Sequence, residues 1–140
     1  MGKKKLDADT GVEALVIGVV TSLKDYKLAW KINQVFNIEL IMEDDLIIRM
    51  TNGNHIAASN YCYQTDFFKI NLIKNKGIDK EKVIYVAPEL AQIDYFFILE
   101  GIDFFMEAKK ITDILKLIKE IAFVQQINLT KLKSRDNFIF

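Results

Sequence analysis

Cysteine and histidine are almost missing from the 140-residue chain, which has one of each, Cys62 and His55. A lone cysteine cannot close an internal disulfide, so nothing marks an oxidising compartment. One thiol and one imidazole also fall short of the four ligands that a structural zinc takes, so no metal and no cofactor is expected. The six glycines are scattered and build no phosphate-cradling loop. No nucleophile elbow, HExxH or CxxC occurs either. Charge of neither sign prevails, because Lys plus Arg and Asp plus Glu each number 19. Nucleic-acid affinity comes largely from phosphate neutralisation, so this balance weighs against a dedicated binder while leaving room for a local basic patch. Long apolar runs are absent too. The longest, Ala14 to Val20, is far too short to span a bilayer, and no membrane partner is expected. Asp7, Asp9 and Glu13 interrupt the apolar stretch that a signal peptide would need after the basic start. Leu6 stands where a myristoylation signal carries Ser or Thr. We read the chain as cytoplasmic, with a flexible basic tail over 1–10 and one α+β domain over 11–140.

What is present suits a packed core, with 51% hydrophobic and 27% charged residues. Ala14 to Thr21 is β-branched and continuously apolar, which predicts a strand buried on both faces. Ser22 has the chemistry of an N-cap for a helix from Leu23 to about Phe36. Further strands are predicted over Ile38–Met42, Leu46–Met50, His55–Tyr63, Phe67–Ile73, Tyr95–Leu99 and Phe123–Leu129. Glu43-Asp44-Asp45 reads as a polar turn, and Asn52-Gly53 as a tight hairpin turn. A second helix is predicted over Phe104–Glu120, with an apolar stripe of Phe104, Ala108, Ile111, Ile114, Leu115 and Ile118. Strand runs joined by hairpins give the α+β class. The expected fold is a two-layer sandwich, a mainly antiparallel sheet of five to seven strands carrying two helices.

Four constellations bear on function. His55 and Cys62 fall on one predicted strand, seven residues apart and so on opposite faces, which weighs against a Cys–His dyad. Cys62 is then a small core residue and His55 a solvated strand end. Glu43-Asp44-Asp45 has oxygens suited to a hard cation, yet adjacent acids in a short turn rarely converge, and a solvated hairpin turn fits better. On the first helix Leu28, Ala29, Ile32, Val35 and Phe36 share one side, while Leu23, Tyr26 and Trp30 share nearly the opposite one. A helix on a sheet needs one apolar face. The second requires a cover, first from the chain's own end, Phe138-Ile139-Phe140, and otherwise from a protein partner or a second copy. Finally, Lys69, Lys74, Lys76, Lys80 and Lys82 surround one loop, and Lys131, Lys133 and Arg135 form a second group. No stacking aromatics are interleaved with them, so a solvated surface is expected over an RNA contact.

Ala87-Pro88-Glu89-Leu90-Ala91-Gln92-Ile93-Asp94-Tyr95 predicts one helical turn, with Pro88 near its first position and Glu89 at the positive end, leading into a strand. Here the sequence resembles the IPExxxVDY proteins, a bacterial family of unknown function. Pro88, Glu89, Asp94 and Tyr95 match that pattern, while Ala87 and Ile93 replace its Ile and Val. Leu23-Lys24-Asp25-Tyr26 with Trp30 is similar to the family as well, as is the ending from Lys131-Leu132-Lys133-Ser134 through Asn137 to Phe140. The resemblance implies a small stand-alone domain and supplies no activity, cofactor or catalytic residue. The motif residues read as structural, a capped turn followed by a packed Tyr. The expected function is a non-catalytic protein-interaction module, whose partner is another protein or itself. An RNA-associated protein using the lysine loop and basic tail is the alternative. An enzyme using Glu89, Asp94 and Tyr95 as acid–base groups comes third.

Overall fold

The structure is a computed structural model that describes residues 14–50, 52–101 and 108–138. The predicted basic tail, Phe104, Ile139 and Phe140 lie outside the described residues. The class is α+β. The chain runs β1 (Ala14–Thr21), α1 (Asp25–Phe36), β2 (Ile41–Met42), β3 (Leu46–Arg49), β4 (His55–Ala58), β5 (Asn60–Gln64), β6 (Phe68–Lys74), β7 (Tyr95–Gly101), α2 (Ala108–Leu115) and β8 (Ile121–Ile127). Six strands form one antiparallel sheet in the order β2-β5-β6-β7-β1-β8, and β3 and β4 form a separate hairpin.

β1 is flanked on both sides, by β7 and β8, and buried on both faces, which explains its unbroken apolar sequence. Strand alternation sends Leu15, Ile17 and Val19 into a core beneath both helices, with Phe97, Leu99, Leu28, Ile32 and Ile111. The same alternation sends Val16, with Phe96 and Ile98 of β7, into a second core on the opposite face. The helix-on-sheet sandwich is therefore as expected, and the far face of the sheet is covered as well. Its cover is the β3–β4 hairpin, the segment before β7 and the C-terminal turns, through Ile48, Ile56, Val86, Ile93, Leu129 and Phe138.

Several boundaries moved for local reasons. Ser22 does not cap α1; Lys24 occupies that position without a side-chain cap bond. The helix ends at Asn37, whose left-handed backbone (φ 57°) lets its N–H donate to the Asn33 carbonyl. The Asn52-Gly53 turn forms as expected, with Gly53 at φ 90°. There the Met50 N–H donates to the Asn54 carbonyl at 2.7 Å. The single strand expected over His55–Tyr63 is two, because the chain changes sheets at Ser59. For the same reason Glu43-Asp44-Asp45 is not a hairpin turn. It links β2, which pairs with β5, to β3, which pairs with β4. The described part of the second helix stops at Leu115. Beyond it, the Leu117 and Ile118 N–H groups donate to Ile114 and Leu115 at the tighter three-residue spacing, while Ile118 stays buried on the predicted stripe.

Candidate functional site

The motif segment is held to the sheet at several points. Asn75, which follows β6 amid the lysines of the charged loop, is fully buried. Its Nδ2 donates to the Leu90 and Ile93 carbonyls, both at 2.9 Å, and its Oδ1 accepts from the Ala87 N–H at 2.9 Å. One amide thus satisfies three backbone groups of the turn. Asp94 Oδ2 accepts from the Thr21 N–H of β1 at 2.9 Å. Glu89 Oε2 accepts from the Ser134 N–H at 3.0 Å, and Asn137 Nδ2 donates to the Val86 carbonyl at 2.9 Å. The Thr21 and Ser134 donors to the two acids thus come from β1 and the C-terminal segment, both far from the motif in sequence. Tyr95, buried in β7, donates its hydroxyl to the Leu23 carbonyl at 2.8 Å. Ile93 packs on Gly18, where an added Cβ would lie 3.0 Å from its Cδ1.

The titration behaviour of these groups follows. Partial burial raises the Glu89 carboxyl, but hydrogen bonds from its own backbone, from Ser134 and from Lys133 outweigh burial and hold it below the usual carboxylate range. Burial, then the charges of Asp25 and Asp94, push the Tyr95 phenol far above its usual range. Glu89 is thus bonded to the C-terminal segment, while Asp94 and Tyr95 both bond the β1–α1 junction, at the Thr21 N–H and the Leu23 carbonyl.

The aromatic pair behaves differently. Leu28, Ala29, Ile32 and Phe36 of α1 are buried against the sheet. Tyr26 and Trp30, one turn apart, are 53% and 60% exposed. Leu23 parts company with them, being half-buried and packed against the helix-side core. The expected cover from the chain's own end is corrected by Phe138, which is fully buried in the opposite core. There it meets Phe96 edge to face, with ring centroids 5.1 Å apart. Phe138 therefore cannot shield Trp30. Lys31 beside this face pairs with Glu120 at 2.9 Å. That hydrogen bond, opposed by slight desolvation, holds Glu120 below the usual carboxylate range.

A shallow groove of about 690 Å³ lies beside β5 and β6, on the face away from the helices. Cys62, Lys69, Asn60 and Asn71 line it, rimmed by Glu39, Glu43, Asp44 and Asp45. Cys62 is not the core residue expected, because it is half-buried on this wall. Burial raises its thiol, Lys69 opposes, and Glu43 and Glu100 raise it further. A raised thiol is a weaker nucleophile at neutral pH. Asn71 Nδ2 donates to Asn60 Oδ1 at 3.0 Å, closing the floor on itself. His55 is exposed on β4, in the other sheet. Among the described residues no cluster of His, Cys, Asp and Glu could hold a metal ion.

The predicted lysines differ in exposure, and Lys80 and Lys82 of the loop are exposed. Lys69 faces the acid-rimmed groove and Lys74 is half-buried at the end of β6, while Lys76, Lys131 and Lys133 are exposed. Among the described residues no helix is long and apolar enough to cross a membrane. The chain matches no protein-family model and has no significant similarity to a curated protein.

Proposed function

We propose that this chain is a cytoplasmic, non-catalytic protein-interaction module that engages a protein partner through the outer face of α1. The observation that carries this reading is the pair Tyr26 and Trp30, 53% and 60% exposed on a helix whose other face anchors the core. Aromatic side chains of this kind supply large, rigid contact area and are frequent energetic anchors of interfaces. The engagement of Glu89 with the C-terminal segment, and of Asp94 and Tyr95 with the β1–α1 junction, supports a structural role for the motif. The similarity to the IPExxxVDY proteins is part of the same proposal and rests on the motif residues, on Leu23 to Tyr26 with Trp30, and on the ending from Lys131 to Phe140. The acidic rim around Lys69 weighs against the RNA-associated alternative.

The test is a pull-down from nuclease-treated cytoplasm with the wild type and with Tyr26→Ala/Trp30→Ala. The proposal expects a protein recovered by the wild type and lost with the double variant. Recovery that the variant leaves unchanged, or that vanishes with nuclease, would sink it.

A further inference from the structure

The two edges of the main sheet are built differently. β2 is two residues long, follows Glu39 and runs into Glu43-Asp44-Asp45. Short length and charge are the usual devices that keep a sheet edge from pairing. β8, at the other edge, is seven residues long and reads Ile-Ala-Phe-Val-Gln-Gln-Ile. It contains no charge, proline or glycine, and Phe123 is 53% exposed.

The backbone directions on β8 follow from β1. The Val19 carbonyl accepts from the Asp94 N–H, and the Thr21 N–H donates to the Asp94 side chain. The backbone groups of Val19 therefore point toward β7. Val19 stands opposite Val124 of β8, and antiparallel partners alternate between bonded and non-bonded pairs. The N–H and C=O of Val124 thus point away from β1, as do those of Gln126, two residues on. Among the described residues no strand flanks β8 on that side. A register shift between Val20 and Thr21 leaves Ala122 as an extra residue. The regular part of the edge is Phe123 to Ile127, with Gln125 at its midpoint.

We propose that two copies of this chain pair antiparallel through β8, edge to edge, about a two-fold axis at Gln125. Val124 of each copy exchanges both backbone hydrogen bonds with Gln126 of the other. Phe123 of each stands opposite Ile127 of the other, and the two Gln125 amides meet at the axis. No like charges face each other in this register, and apolar side chains meet apolar ones, which is why a second copy fits the edge. The short, acidic β2 edge cannot continue the pairing, so association closes at a dimer. This surface is separate from Tyr26 and Trp30, so the dimer goes beyond the function proposed above.

Analytical ultracentrifugation combined with amide hydrogen exchange tests it. The wild type should dimerise in the micromolar range, with the Val124 and Gln126 amides gaining protection as concentration rises. Gln126→Pro should weaken dimerisation by roughly tenfold or more while the single chain still folds, since the N–H it removes faces solvent there. If that variant does not fold, Gln125→Lys and Gln125→Glu decide. Each alone should dimerise less than the wild type, and an equal mixture should dimerise more than either. Tyr26→Ala/Trp30→Ala should leave the dimer intact. A wild type that stays monomeric, a dimer whose Val124 and Gln126 amides exchange freely, a mixture no better than its components, or a dimer lost with Trp30 would each overturn the proposal.

Discussion

Asn75 shows how much one buried side chain can organise. All three hydrogen-bonding positions of its amide that are in use go to backbone groups between Ala87 and Ile93. Removing the amide strands the Ala87 N–H and the Ile93 carbonyl away from water, while the Leu90 carbonyl still accepts from the Ile93 N–H, and each unsatisfied buried group costs about 1–3 kcal/mol. Asn75→Ala should therefore lower unfolding stability by roughly 2–4 kcal/mol in a urea titration; a loss well under 1 kcal/mol would show that the turn has another anchor. Glu89 makes a pH-dependent contribution. Its folded-state pKa lies below the usual value, so its contribution is complete above the unfolded-state pKa of about 4.3. It disappears as the pH falls through the lower folded value. Stability measured from neutral pH down to about pH 3 should therefore show an acid limb that Glu89→Gln flattens. An identical acid limb in the variant would contradict that linkage. The sequence gives no sign of Asn75's role. A polar amide after an apolar strand looks like the start of a loop, and its partners lie more than a turn away in sequence.

Among the elements, α1 divides its labour by face. Leu28→Ala or Ile32→Ala removes buried apolar volume and should cost about 2–5 kcal/mol. Tyr26→Ala and Trp30→Ala should stay within roughly 0.5 kcal/mol of the wild type, the range usual for exposed positions. Equal losses on both faces would mean that Tyr26 and Trp30 are covered in the free chain. This division was legible beforehand, because helical periodicity separates two apolar stripes even without a fold. The burial of β1 on both faces was legible too, from its unbroken apolar run. The passage of the chain from one sheet to the other at Ser59 was not. Only Ser59 separates β4 from β5, too little to mark a break, and a change of partner strand leaves no periodic signal. The destination of Phe138 was equally hidden. An apolar chain end announces that it will be buried but not against which face.

At the scale of the whole molecule, the sheet has two cores and two unlike edges. Phe138 closes the core opposite the helices, so Phe138→Ala should cost about 3–5 kcal/mol while leaving the surroundings of Trp30 unchanged. Trp30 is the sole tryptophan, and its fluorescence reports the α1 face without interference. The central claim is that the fold leaves this face open for a protein partner. Iodide quenching of Trp30 tests that most directly, measured on the isolated protein and again on the complex recovered with its partner. The account predicts strong quenching in the isolated protein and marked shielding in the complex. A Trp30 already shielded when the protein is alone, or quenched equally in the complex, would contradict it.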